Sequence, residues 1–135
     1  MKPSKLAVLA LAAALPAAAE NVEGVNDLVC ATAQAQICFE TNECYQATPF
    51  ELAVPDFVLI DLEKKTISTT EASGAKRTSE ASKVERADGL IMMQGIEDGR
   101  AFSFVIDEST GRLSAAIARD GFTVSVFGAC TDQDL

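Results

Sequence analysis

Cys30, Cys38, Cys44 and Cys130 are the residues of this chain best suited to chemistry, and three kinds of chemistry suit cysteines. Thiolates can ligate zinc, a close pair can exchange electrons, and cystines can staple a fold. Gaps of seven, five and eighty-five residues lack both the close C-x2–4-C pairs of zinc sites and the C-x-x-C of redox pairs. Cystines remain. Cys38 and Cys44 enclose Phe39-Glu40-Thr41-Asn42-Glu43, polar enough to turn, so their local pairing is the simplest assignment and joins Cys30 to Cys130. Four cysteines allow three such connectivities.

Other chemistry is scarce. The chain has no histidine, which removes Ser-His-Asp and Cys-His catalysis together with the commonest transition-metal sites. Ser73-Gly74-Ala75-Lys76 has the S-x-x-K spacing of penicillin-binding enzymes, but neither S-D-N nor K-T-G follows it. Among 20 Asp and Glu residues no pair is singled out as the acid and base of a glycosidase-like site. Asp98, Asp107, Glu108 and Asp120 fall in predicted hairpin turns and could line one rim. They lack EF-hand spacing, and the preference of Asp for turns accounts for them. No glycine-rich phosphate loop is present. The expectation is a non-enzymatic protein with no catalytic residues, metal site or cofactor.

The elements that position these residues begin after a leader. Lys2 and Lys5 precede an apolar run, Leu6–Leu15, and Pro16-Ala17-Ala18-Ala19 supplies the small residues of a cleavage site. Residues 1–19 therefore read as a cleavable signal peptide, too short to span a hydrocarbon core that needs roughly 20 apolar residues. Cystines in an exported chain agree with a periplasmic or secreted bacterial protein. The remaining residues, 20–135, suffice for one domain. The formal net charge is −9, and removing two leader lysines makes the exported part more acidic still. That sign argues against nucleic acid and anionic membranes as partners. An unknown protein or small ligand is left as the partner of a monomer or small oligomer.

Gly89–Ile96, Arg100–Ile106, Arg112–Ala118 and Gly121–Ala129 read as an antiparallel meander, broken by Gly-containing turns. Phe102, Phe104 and Ile106 share one face of their strand, as do Leu113, Ala115 and Ile117 of the next. Phe122, Val124, Val126 and Cys130 share a parity that turns Cys130 toward the core. Phe50–Val54, Phe57–Leu62 and Thr66–Thr70 read as further strands. Leu28–Phe39 is read as a strand with Val29, Ala31, Ala33, Ala35, Ile37 and Phe39 on its apolar face. Residues 69–86 form a polar loop or weak hairpin. The sum is an all-β fold of about seven to nine strands, a small disulfide-stapled antiparallel barrel or sandwich closed by pairing its first and last strands. Met92, Met93, Phe102, Phe104, Phe122 and Phe127 could line a cavity, although the short chain favours a filled core.

With Cys38-Phe39-Glu40, Glu43-Cys44, the late hairpins and the closing Phe127-Gly128-Ala129-Cys130, the chain resembles a set of small exported bacterial β-proteins of uncharacterised function. They share the C-x7-C-x5-C spacing and the terminal aromatic-Gly-x-Cys strand. More weakly, Ser73-Gly74 is similar to the start of the inhibitory Ser-Gly-x-x-Tyr loop of bacterial c-type lysozyme inhibitors, which are small periplasmic β-barrels. Arg77 stands where that loop has its aromatic residue, and the Trp-x-Lys-Gly element has no counterpart near Met92-Met93-Gln94-Gly95. That resemblance implies inhibition of a basic hydrolase, with Ser73 and Gly74 in the inhibitory loop. The leading expectation is an exported module that binds a partner or ligand or has an envelope-structural role. A small hydrolase using carboxylates is the opposing class.

Overall fold

The computed structural model describes residues 20–134, so the leader read over 1–19 lies outside the described residues. Ten strands follow in order: β1 (Asp27–Phe39), β2 (Cys44–Ala47), β3 (Phe57–Asp61), β4 (Thr66–Thr69), β5 (Thr78–Glu80), β6 (Lys83–Ala87), β7 (Leu90–Glu97), β8 (Arg100–Asp107), β9 (Arg112–Arg119) and β10 (Phe122–Asp132). They make one antiparallel sheet in the order β5-β4-β3-β1-β10-β9-β8-β7-β6, with β2 paired onto β1. The first and last long strands lie side by side, from Leu28 opposite Asp132 to Phe39 opposite Phe122. No helix among the described residues is long and apolar enough to cross a membrane.

The two ends of the strand order are consecutive in the chain. Only Ala81 and Ser82 separate β5 from β6. The Ala81 N–H donates to the Lys65 carbonyl beside β4 at 2.8 Å, and the Ser82 N–H donates to the Gln94 carbonyl of β7 at 2.8 Å. One extended stretch thus grips both edges, and the sheet must curl into a barrel-like form to let it. The polar residues 69–86 accordingly divide between those edges, β5 pairing with β4 and β6 with β7. Asp88-Gly89 makes the β6–β7 turn with both residues at positive φ, 54° and 77°, the requirement of the tight type I′ hairpin.

Two expectations about the first half are corrected. Phe50–Val54 is not a strand, because Pro49–Leu52 forms a 3₁₀ turn closed by a capping box. The Thr48 hydroxyl accepts the Glu51 N–H, the Glu51 carboxylate accepts the Thr48 N–H, and Pro49 takes the first helical position. In β1 the apolar alternation is interrupted. Leu28 and Cys30 are buried, whereas further along it is Ala35 that is buried and Ala33 that is exposed. A bulge between Thr32 and Gln34 inserts Ala33 as an extra residue and switches the inward parity from even to odd.

The interior is uneven. We call the end carrying the β6–β7 and β8–β9 turns the lower end and the one carrying the β7–β8 and β9–β10 turns the upper end. The largest fully buried side chains, Leu28, Ile60, Ile91, Ile106, Val22, Cys30 and Cys130, occupy the lower half, with Val126 at mid-strand. The Cys30–Cys130 disulfide crosses from β1 to β10 within this packing, and Cys38–Cys44 links β1 to β2 near the upper end. Residues 22–26 seal the bottom. Arg86 donates to the Glu108 carboxylate at 3.0 Å, to the Asn26 side chain at 3.1 Å, and to the Val22 and Val25 carbonyls at 3.2 and 2.7 Å. Glu108 is a buried charge with its partner supplied.

Candidate functional site

The upper half carries an open-mouthed hollow beside the packed core expected for so short a chain. A cavity of about 440 Å³ lies on the concave face of the sheet, walled by Val58, Ile67, Leu113, Ala115, Val124 and Val126 together with Phe102, Phe104, Ile117 and Phe122. Leu52, Ala53, Val54 and Pro55, the end of the 3₁₀ turn and the lead into β3, close one side. Strand parity makes this wall. Phe102 and Phe104 of β8 and Leu113, Ala115 and Ile117 of β9 are the inward sets expected from alternation, and both sets line the cavity. Phe127 instead points out and is exposed, while Met93 is buried in the core; neither it nor Met92 lines the cavity.

Small residues set the volume. Ala115 faces Phe104 on one neighbour and Val126 on the other, and its single methyl leaves space where a larger side chain would close the hollow. Gly95 lies opposite Phe102, whose ring occupies the position a Cβ would need. The Thr32 hydroxyl, at the bulge, donates to the Pro55 carbonyl at 2.7 Å and so ties the side wall to β1.

Polar groups gather at the mouth. Arg77, Arg100 and Arg119 line it with Ser68, Thr69 and Ser79, and no Asp or Glu is among the lining residues. Arg100 reaches the Glu97 carboxylate at 3.3 Å, and the Ser79 hydroxyl donates to that same carboxylate. The Ser79 hydrogen bond is the largest influence on Glu97 and holds it below the ordinary carboxylate range; desolvation opposes it, and Arg100 and then Arg77 add to the lowering. Arg119 donates to the Asp98 carbonyl at 3.4 Å. Arg77 is held by its backbone, its N–H donating to the Thr69 hydroxyl at 3.1 Å. Guanidinium groups donate only, and the remaining polar side chains of the lining are hydroxyls, so the cavity has no carboxylate, imidazole or amine in its lining.

The three arginines were not anticipated as a site, although their signal was present. Arg100 continues the Phe102–Phe104 parity toward the turn, and Arg119 continues the Leu113–Ala115–Ile117 parity in the same direction. The turn carboxylates do not share a rim. Successive hairpins place Asp98 and Asp120 at the upper end but Asp107 and Glu108 at the lower end. Ser73 and Gly74 lie in the exposed β4–β5 loop, where Ser73 ends a short 3₁₀ turn and Gly74 caps it at φ 72°. The Ser73 hydroxyl is occupied locally, donating to the Thr70 carbonyl at 2.7 Å and accepting the Ala75 N–H at 3.2 Å. Among the described residues no three His, Cys, Asp or Glu side chains are grouped to hold a metal ion. Comparison with known proteins finds no matching family model, no matching curated protein and no matching solved structure.

Proposed function

We propose that this chain is an exported, non-enzymatic binding module that takes a small, largely apolar molecule into the upper half of its curled sheet. The observation that carries this reading is the 440 Å³ hollow itself, within the range of about 300–1,000 Å³ typical of small-ligand sites. Its wall of aliphatic and aromatic side chains supplies the burial that drives such binding, on the order of 25 cal/mol per Å² of apolar surface removed from water. The filled lower half, stapled by Cys30–Cys130, supports the reading because a preformed wall spares the ligand the cost of ordering it. The cystines and the signal-like leader support export.

The test uses the disulfide-intact protein starting at Glu20 and the uncharged fluorescent probe N-phenyl-1-naphthylamine. Saturable binding at a single site is expected. Ala115→Leu and Val124→Phe, which fill the hollow, should each weaken it about tenfold or more without lowering the melting temperature. A folded protein that shows no saturable binding, or whose binding ignores both substitutions, overturns the proposal.

A further inference from the structure

We infer that the ligand is an anionic amphiphile, a slender apolar tail carrying one negatively charged head group, with the tail in the hollow and the head between Arg77, Arg100 and Arg119. This rests on the binding function proposed above and adds the chemical class of the ligand. The placement of charge is its basis. The chain carries a formal charge of −9, with 20 acidic residues against 11 basic ones, yet three of its five arginines line one cavity that has no carboxylate in its lining. In so acidic a protein solubility comes from the excess of negative charge and calls for no cationic cluster.

Counting direct ion pairs leaves two of the three lining arginines unpaired among the described residues. Glu97 stands beside Arg100 and offsets part of one charge. Arg77 and Arg119 make no ion pair among the described residues, and the neighbouring turn residues Asp98 and Asp120 form none with them. Three guanidinium groups thus line the hollow with one of them ion-paired, while the Asp98 and Asp120 carboxylates of the adjoining turns lie outside the lining. Each has a planar fork of donors that matches a carboxylate, sulfate or phosphate, and Arg100, the half-buried one of the three, is the least screened by water. The Ser68, Thr69 and Ser79 side chains add hydroxyls to the lining. A neutral ligand would leave Arg77 and Arg119 without a counter-charge. A cationic one would meet its own sign.

Decanoate, decanol and decyltrimethylammonium share one tail and differ in head charge, so their competition with N-phenyl-1-naphthylamine, below micelle-forming concentrations, isolates the head group. Decanoate should displace the probe about tenfold more effectively than either of the others, and added salt should weaken decanoate alone. Replacing the two exposed arginines together, Arg77→Gln with Arg119→Gln, should abolish that preference while leaving decanol unchanged. Equal displacement by decanoate and decanol overturns the anionic assignment and leaves the binding function standing. Failure of every compound, with no probe binding in the first place, overturns both.

Discussion

Glu97 is the residue on which the mouth is balanced. It holds Arg100 and accepts from Ser79, so it competes with any anionic head for the same guanidinium. Glu97→Gln should therefore strengthen decanoate binding several-fold and leave decanol alone, as read by probe displacement. Its titration has a defined sign. Because its folded pKa lies below the ordinary glutamate value of 4.5, the interaction is complete above that value and is lost as pH falls through the lowered one. Carboxyl NMR should find Glu97 titrating below ordinary glutamates, and Ser79→Ala should move it back up; an unchanged midpoint would contradict the role given to Ser79. At this scale the sequence was partly legible. Arg100 and Arg119 extend inward-facing stripes that alternation makes plain, but a charged residue at a strand end reads as solvated until the strands around it are known to curl. Arg77 gave no such signal, since it reaches the mouth from an irregular loop.

Among the elements, β1 shows how one inserted residue redirects a whole strand. Gly128 lies opposite Thr32 where the bulge begins, and a Cβ there would overlap the Ala31 carbonyl oxygen and approach the Thr32 Cα at 3.2 Å. Glycine is needed at this position for close approach of two backbones. Gly128→Ala should cost about 1–3 kcal/mol in urea unfolding, and a midpoint equal to that of the unaltered protein would show that the bulge does not depend on it. The strands of the meander were legible because each buries one face and turns on a glycine. The bulge was hidden because Ala31, Ala33 and Ala35 suit either face, so alanine alternation carried no record of the shift. The 3₁₀ turn at Pro49–Leu52 did leave a trace: Thr48-Pro49-Phe50-Glu51 has the spacing of a capping box, outweighed in a strand reading by its apolar residues.

For the molecule as a whole, the two disulfides have unequal work. Cys30–Cys130 closes a sequence separation of 100 and Cys38–Cys44 one of 6, so chain entropy assigns about 5 kcal/mol to the first and about 2 kcal/mol to the second. Replacing both partners of each pair by alanine and measuring the urea midpoint should reproduce that order; a larger loss from the Cys38–Cys44 pair would reverse it. The fold class was legible from the number of short alternating runs and the Gly-ended turns. The hollow was not. Whether a barrel-like sheet fills or opens depends on how Ala115, Gly95 and the Phe102 ring meet across strands, and that register is set by pairings far apart in the chain. The split between a filled lower half and a hollow upper half has a consequence for how such a protein can change over generations. Leu28, Ile60, Ile91 and Ile106 are buried without touching the hollow, whereas Val58, Phe102, Leu113 and Val126 are buried and also wall it, so a change that reshapes the hollow draws on the same packing that holds the sheet, and the lower half is the reserve of stability that lets such changes remain folded.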